Sequence, residues 1–168
     1  IEGLRGQTAD ATLRLAGLGV IVPEDAERVG ARLRFGNAEI ARLRASAHWT
    51  GDTTALPMDA AVREMVYRHG RSDACDHLCL AWARSGAALD DAAWRAALDL
   101  SHHWQAPAFP LTGNDALAAG LVPGPVIGAT LAALETAWVE TGFTRCRAQL
   151  LADLTALVDK HKSVALGH

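Results

Sequence analysis

The sequence predicts an all-α protein: an irregular multi-helix domain of roughly 8–9 helices and no sheet, from the helical spacing of its apolar residues and the caps between them. Three observations carry that reading. Apolar residues recur at steps of three and four, as in Val62, Met65 and Val66 or Cys75, Leu78, Cys79 and Trp82. Stop and start residues (Gly, Pro, Asp, Ser, Asn, Thr) punctuate the chain at helix-length intervals. No stretch alternates apolar and polar residues as a half-buried strand does.

Taken in order, residues 8–16 are helical, with Leu13 and Leu15, and end at the Gly17 and Gly19 pair. Val20, Ile21 and Val22 form an apolar entry to Pro23, residues 24–34 are helical, and Gly36 breaks them. Asn37 then caps a helix to about His48 with Ile40 and Leu43 buried. Thr50 to Pro57 is the most loop-like segment, a connection within one domain because helical patterns resume at once. From Asp59 the next helix carries Val62, Met65 and Val66 and closes on Tyr67, Arg68, His69 and Gly70. Ser72 caps the helix of Cys75, Leu78, Cys79 and Trp82, and Asp90 or Asp91 starts another with Trp94, Leu98 and Trp104.

The stretch from Phe109 to Phe143 holds the densest punctuation. Pro110, Gly113, Gly120, Pro123, Gly124, Pro125 and Gly128 fall within 19 residues, and such residues fix or free φ where a chain turns tightly. Asn114 or Asp115 caps a short helix that Gly120 stops, and Pro125 suits the first turn of a second, where its missing N–H has no intrahelical partner. That helix carries Ile127, Leu131, Leu134 and Trp138 and ends at Gly142. Thr144 caps a last amphipathic helix with Leu150, Leu154, Leu157 and Val158, and the tail from Ser163 reads as frayed.

A loop free of bulky side chains and aimed at a helix N-terminus leaves backbone N–H groups able to meet an anion, commonly phosphate. Gly124 and Gly128 give that anion room to approach. The alternative is a tight corner between helices in which Gly128 merely lets two of them touch.

The string Leu111-Thr-Gly-Asn-Asp115, followed by Gly120-Leu-Val-Pro-Gly-Pro125, Ile127-Gly128 and Leu131, resembles the C-terminal signature of the bacterial tRNA nucleotidyltransferase and poly(A) polymerase family. Ala31-Arg-Leu-Arg-Phe-Gly-Asn-Ala-Glu39, and Tyr67-Arg-His-Gly70 leading to Leu78-Cys-Leu-Ala-Trp-Ala83, resemble the same proteins, and together the patches cover most of residues 24–151. One departure is Ala116, where the family usually has a larger apolar residue. The resemblance implies a modular enzyme whose N-terminal head holds Mg2+ and the nucleoside triphosphate and whose helical body and tail hold RNA. Transfer of this type needs carboxylates that present two metal ions, and no Asp-x-Asp occurs in the 168 residues. With Ile1 in place of a starting Met, the chain reads as the C-terminal fragment, residues 1–168 forming one RNA-binding domain with its signature at 109–143, inactive alone and holding no cofactor itself. Its partner is then a tRNA or other RNA 3′ end, and the RNA-binding candidates are Gly113, Asp115, Gly124, Gly128, Arg145 and Arg147.

Other features fit less well. Glu24-Asp-Ala-Glu-Arg28 spells the Glu-Asp-x-x-Arg of the family's neck, yet an acidic first turn after Pro23 is also ordinary helix chemistry. Cys75, His77, Cys79 and the His102-His103 pair lack the spacing of a zinc site, and thiols four apart on a helix read as small core residues. No Gly-x-Ser-x-Gly, P-loop or dinucleotide fingerprint appears.

The net charge of −3 means that RNA affinity comes from local patches, and all 16 cations but Lys160 and Lys162 are arginine, the better bidentate phosphate ligand. Arg28 and Arg32 share a face, as do Arg63 and Tyr67, while Arg145 and Arg147 lie in the first turn of the last helix, where cations oppose the dipole. Three cysteines and the lack of a signal peptide or long apolar run fit a reducing cytoplasm and no membrane partner. Two rivals stand beside the RNA reading: a helix-hairpin-helix-like module that binds DNA backbone, and a structural or oligomerising helical domain.

Overall fold

The structure, a computed structural model, describes residues 10–47 and 56–166. The protein is all-α: the described residues form nine helices and no strand. These are α1 (Ala11–Gly19), α2 (Pro23–Leu33), α3 (Asn37–Ala47), α4 (Asp59–His69), α5 (Arg71–Ser85), α6 (Ala92–His103), α7 (Gly113–Ala118), α8 (Pro125–Glu140) and α9 (Arg147–Leu166). Contacts group them into two compact units, one ending at Ala106 and one beginning at Pro107.

The first unit is built around α5, which packs against α1, α3, α4 and α6. A helix contacted on so many sides must be apolar on most of them, and Ala74, Cys75, Leu78, Cys79, Leu80, Ala81 and Trp82 are all buried. Trp82 stacks on Trp94 of α6 at 6.1 Å and donates its indole N–H to Ala88 O at 3.1 Å. The α2–α3 pair crosses at Gly30, where a Cβ would lie 2.5 Å from Ile40 Cγ1. Arg34, in the left-handed region at φ 55°, ends α2, and the Phe35 N–H returns to Gly30 O.

A charged network, invisible in the sequence pattern, ties three of these helices together. Arg42 on α3 grips the buried Asp76 of α5 through Nε (2.5 Å) and Nη2 (2.9 Å), and reaches Asp10 at 2.7 Å. Asp10 in turn accepts the Leu13 N–H and caps α1. These hydrogen bonds, above all those to Asp76, raise the Arg42 pKa further above its ordinary range.

In the second unit α7 packs on α8 and α8 on α9. Leu111, Ala116, Leu134, Trp138, Val139, Leu150, Leu154 and Val158 are its buried apolar residues. Ala116 is fully enclosed, so the small side chain suits its place. Trp138 holds Phe109 (5.5 Å) and Phe143 (5.0 Å) against its ring and donates to Arg145 O at 3.0 Å.

Several boundaries differ from the sequence expectation. Helix α1 continues through Gly17 to Gly19, where burial of Leu13, Ala16 and Val20 on either side outweighs the cost of about 1 kcal/mol that a helical Gly carries. Ser72 lies inside α5; Gly70, at φ 83°, already turns the chain, leaving nothing for a serine cap to do. Thr112, and neither Asn114 nor Asp115, occupies the cap of α7. Thr144 bonds back to Thr141 O at 2.9 Å, and Cys146, whose N–H meets Gln149 Oε1 at 3.0 Å, precedes the helix in its place. Arg145 therefore stands before α9 and Arg147 is its first residue. The helix runs past Ser163 to Leu166. Most of the expected 50–57 loop, and His48, lie outside the described residues.

Candidate nucleic-acid interface

The Gly-Pro segment forms a helical hairpin whose tip is exposed. Gly120, at φ 98°, donates to Leu117 O at 2.9 Å and the Leu121 N–H returns to Ala116 O at 3.1 Å, the two-bond arrangement that closes a helix on a left-handed residue. Residues 122–126 are exposed throughout, and Pro125 opens α8 as expected. Pro125 has no N–H, the Ile127 N–H turns back to Gly124 O at 3.2 Å, and the first turn of α8 contains no acidic residue. The positive end of the helix dipole is thus uncompensated by side chains. Leu117, Val122 and Val126 add an aliphatic rim.

Gly124 caps α8, and a side chain there would meet nothing within 4 Å. The same holds at Gly128, an exposed position, so it does not serve as a small-residue contact between helices. Gly113, first residue of α7, faces Ile127: a Cβ there would sit 3.9 Å from Ile127 Cγ2, ordinary van der Waals contact.

Asp115 and Arg147 are brought together, 32 residues apart in sequence. Arg147 bonds to both carboxylate oxygens, with Nη1 at 3.3 Å from Oδ2 and Nη2 on Oδ1, and Nη1 also donates to Pro110 O. Asp115 accepts in addition from the Thr112 N–H (2.7 Å) and hydroxyl (2.8 Å). The Arg147 guanidinium first, then the Thr112 donors, hold its carboxyl below the usual carboxylate range. Arg145 goes elsewhere and pairs with Asp153 of α9. Thr112 and Pro110 are the further residues that hold this pair, and Thr112-x-x-Asp115 is the sequence pattern that marks the capping contact.

In the first unit, Asp25 of the Glu-Asp-x-x-Arg string accepts the N–H groups of Val22 and Ile21, both at 3.0 Å, and pairs with Arg28 at 2.6 Å. Those N–H donors, Val22 first, lower its pKa. Asp25 thus caps α2, and Arg28 pairs with it along the helix. Arg63 Nε is enclosed with no hydrogen-bond partner among the described residues. Cys75 is buried, its Sγ 3.1 Å from Ser101 Oγ and 3.6 Å from His102 Nδ1, and no three His, Cys, Asp or Glu side chains gather as a metal set among the described residues. Burial first, then Arg84 and His69, lowers the His77 pKa to about 4.

No family model matches the chain. Over 76 residues it is 37% identical to an uncharacterized 28 kDa protein in the petA 5′ region of Rhodospirillum rubrum, a stretch that covers 42% of this chain and 29% of that protein. No helix among the described residues is long and apolar enough to cross a membrane.

Proposed function

We propose that this chain is the RNA-holding body and tail of a nucleotidyltransferase of the tRNA or poly(A) type, placing an RNA 3′ end before a catalytic head that lies outside it. The observation that carries the reading is the exposed turn from Gly120 to Val126, which delivers the acid-free first turn of α8 to solvent. A phosphate oxygen approaching there meets backbone N–H groups and the helix dipole without a side chain in the way. Such contacts position RNA without reading its sequence. Between residues 107 and 134 Asp115 is the single charged side chain, and Arg147 neutralises it. Mg2+ and nucleoside triphosphate belong to the head, and a cytoplasmic setting accompanies the reading.

The hairpin also suits a second reading, a backbone-binding module for DNA, because its N–H donors do not tell one phosphodiester from another. Binding of tRNA and of duplex DNA to the purified chain, each over a salt series, separates the two. Preference for tRNA, with a slope of log affinity on log salt that corresponds to roughly two to four phosphates, supports the RNA reading. Equal or stronger binding of DNA supports the module. No binding at low salt removes both, and leaves the aliphatic rim as a protein contact.

A further inference from the structure

We infer that Asp115 and Arg147 are a positioning pair for the Gly120–Val126 turn, and that Arg147 does not itself carry RNA phosphate; the inference rests on the RNA-holding reading above. Arg147 is half exposed at the start of α9, where a phosphate-binding arginine could stand. Its fork, however, is engaged by three acceptors of one short segment: Pro110 O and both oxygens of Asp115. Asp115 fixes the same segment from the other side by accepting two bonds from Thr112. Leu111, between them, is buried. The segment so held leads into α7, which packs on α8 with Gly113 near enough to the first turn that an added Cβ would meet Ile127 Cγ2 at 3.9 Å, and the Ile127 N–H closes on Gly124 O. The guanidinium, the segment it holds and the packing of α7 on α8 therefore lie along one path to the residue that caps α8.

The two roles for Arg147 predict opposite signs at its partner. If Arg147 met phosphate, Asp115 would be a competitor, and Asp115→Asn would free the arginine, remove a repulsive charge and tighten RNA binding. If the pair holds the hairpin, Asp115→Asn loosens the turn and weakens binding. The experiment measures tRNA affinity over a salt series for the full chain and for Asp115→Asn, Arg147→Gln, their double variant and Arg147→Lys, with helicity followed in each. We expect each single variant to lose affinity by about tenfold, on the scale of one charge-assisted hydrogen bond. The double variant should be no weaker than the worse single, and the salt slope should stay at the wild-type value.

Arg147→Lys keeps the charge and loses the planar fork, so it should lose most of what Arg147→Gln loses. Tighter binding by Asp115→Asn overturns the inference. So does a salt slope smaller by about 0.7 to 0.9 in Arg147→Gln, the mark of one phosphate contact, or wild-type affinity in Arg147→Lys. A wild-type chain that binds no tRNA at low salt defeats the RNA-holding reading itself, and the positioning role with it.

Discussion

Removing the Asp76 carboxylate should be among the most damaging single changes in the first unit. Asp76 is 5% exposed at its side chain and Arg42 30%, and the two share a two-pronged contact between α3 and α5. Taking one partner from a buried pair costs about 3–5 kcal/mol, chiefly because the remaining charge has no replacement for water. Arg42 keeps Asp10 and part of its hydration, which places Asp76→Ala at the lower end, about 3 kcal/mol. In a cooperative unit of this size that lowers the melting midpoint by about 12 °C or more. Asp76→Asn, which keeps an acceptor, should cost less, and Asp76→Leu combined with Arg42→Met should recover much of the loss because the buried carboxylate and its guanidinium go together. Asp10, which also loses Arg42, is partly exposed and keeps the Leu13 N–H. Thermal and urea unfolding of the four proteins supply the comparison. A loss below about 1 kcal/mol for Asp76→Ala, the size of an exposed ion pair, would refute the claim that the network is desolvated.

Three further outcomes follow from particular contacts. Gly30→Ala should destabilise by about 1–3 kcal/mol through overpacking at the α2–α3 crossing, read by urea unfolding, and Ile40→Ala in the same chain should relieve it, since Ile40 is what the new Cβ meets. His77 has a folded pKa of about 4 against 6.5 unfolded, so between those values the unfolded chain binds the extra proton. The stability it supports is complete above pH 6.5 and is lost as pH falls toward 4; the difference between wild type and His77→Gln in a pH series of melting midpoints should shrink over that window, and a flat difference would count against it. Trp138→Ala should cost about 3–5 kcal/mol, whereas Trp138→Phe, which loses the bond to Arg145 O and part of the ring volume, should cost about 2 kcal/mol in the same denaturation assay.

Elements whose signal is local were legible. The buried face of α5 followed from the spacing of Cys75, Leu78, Cys79 and Trp82, Gly70 and Gly142 turn the chain at positive φ where helices end, and of the two adjacent acids offered at the start of α6 it is Asp91 that caps it through the Ala93 and Trp94 N–H groups. Caps with two plausible residues were less so. Thr112 takes the cap of α7 because Asp115 serves it better from the third helical position than as a cap itself. Pairings across the chain were not legible: Arg42 finds Asp76 from 34 residues away, and Arg147 finds Asp115 from 32. Periodicity says which face a side chain is on and nothing about which opposite charge will be there. Of the six candidate positions, Gly124 and Gly128 have the open surroundings that anion approach requires, Gly113 abuts α8, and the two arginines are joined to carboxylates.

Hydrogen exchange of the chain with and without tRNA reads the backbone N–H groups at the start of α8 that would meet phosphate. Slowed exchange is expected at Gly124, Val126 and Gly128 when tRNA is added, and less slowing with an equal concentration of duplex DNA. Unchanged exchange over 120–128 under conditions where tRNA is bound would contradict it and place the RNA on another surface.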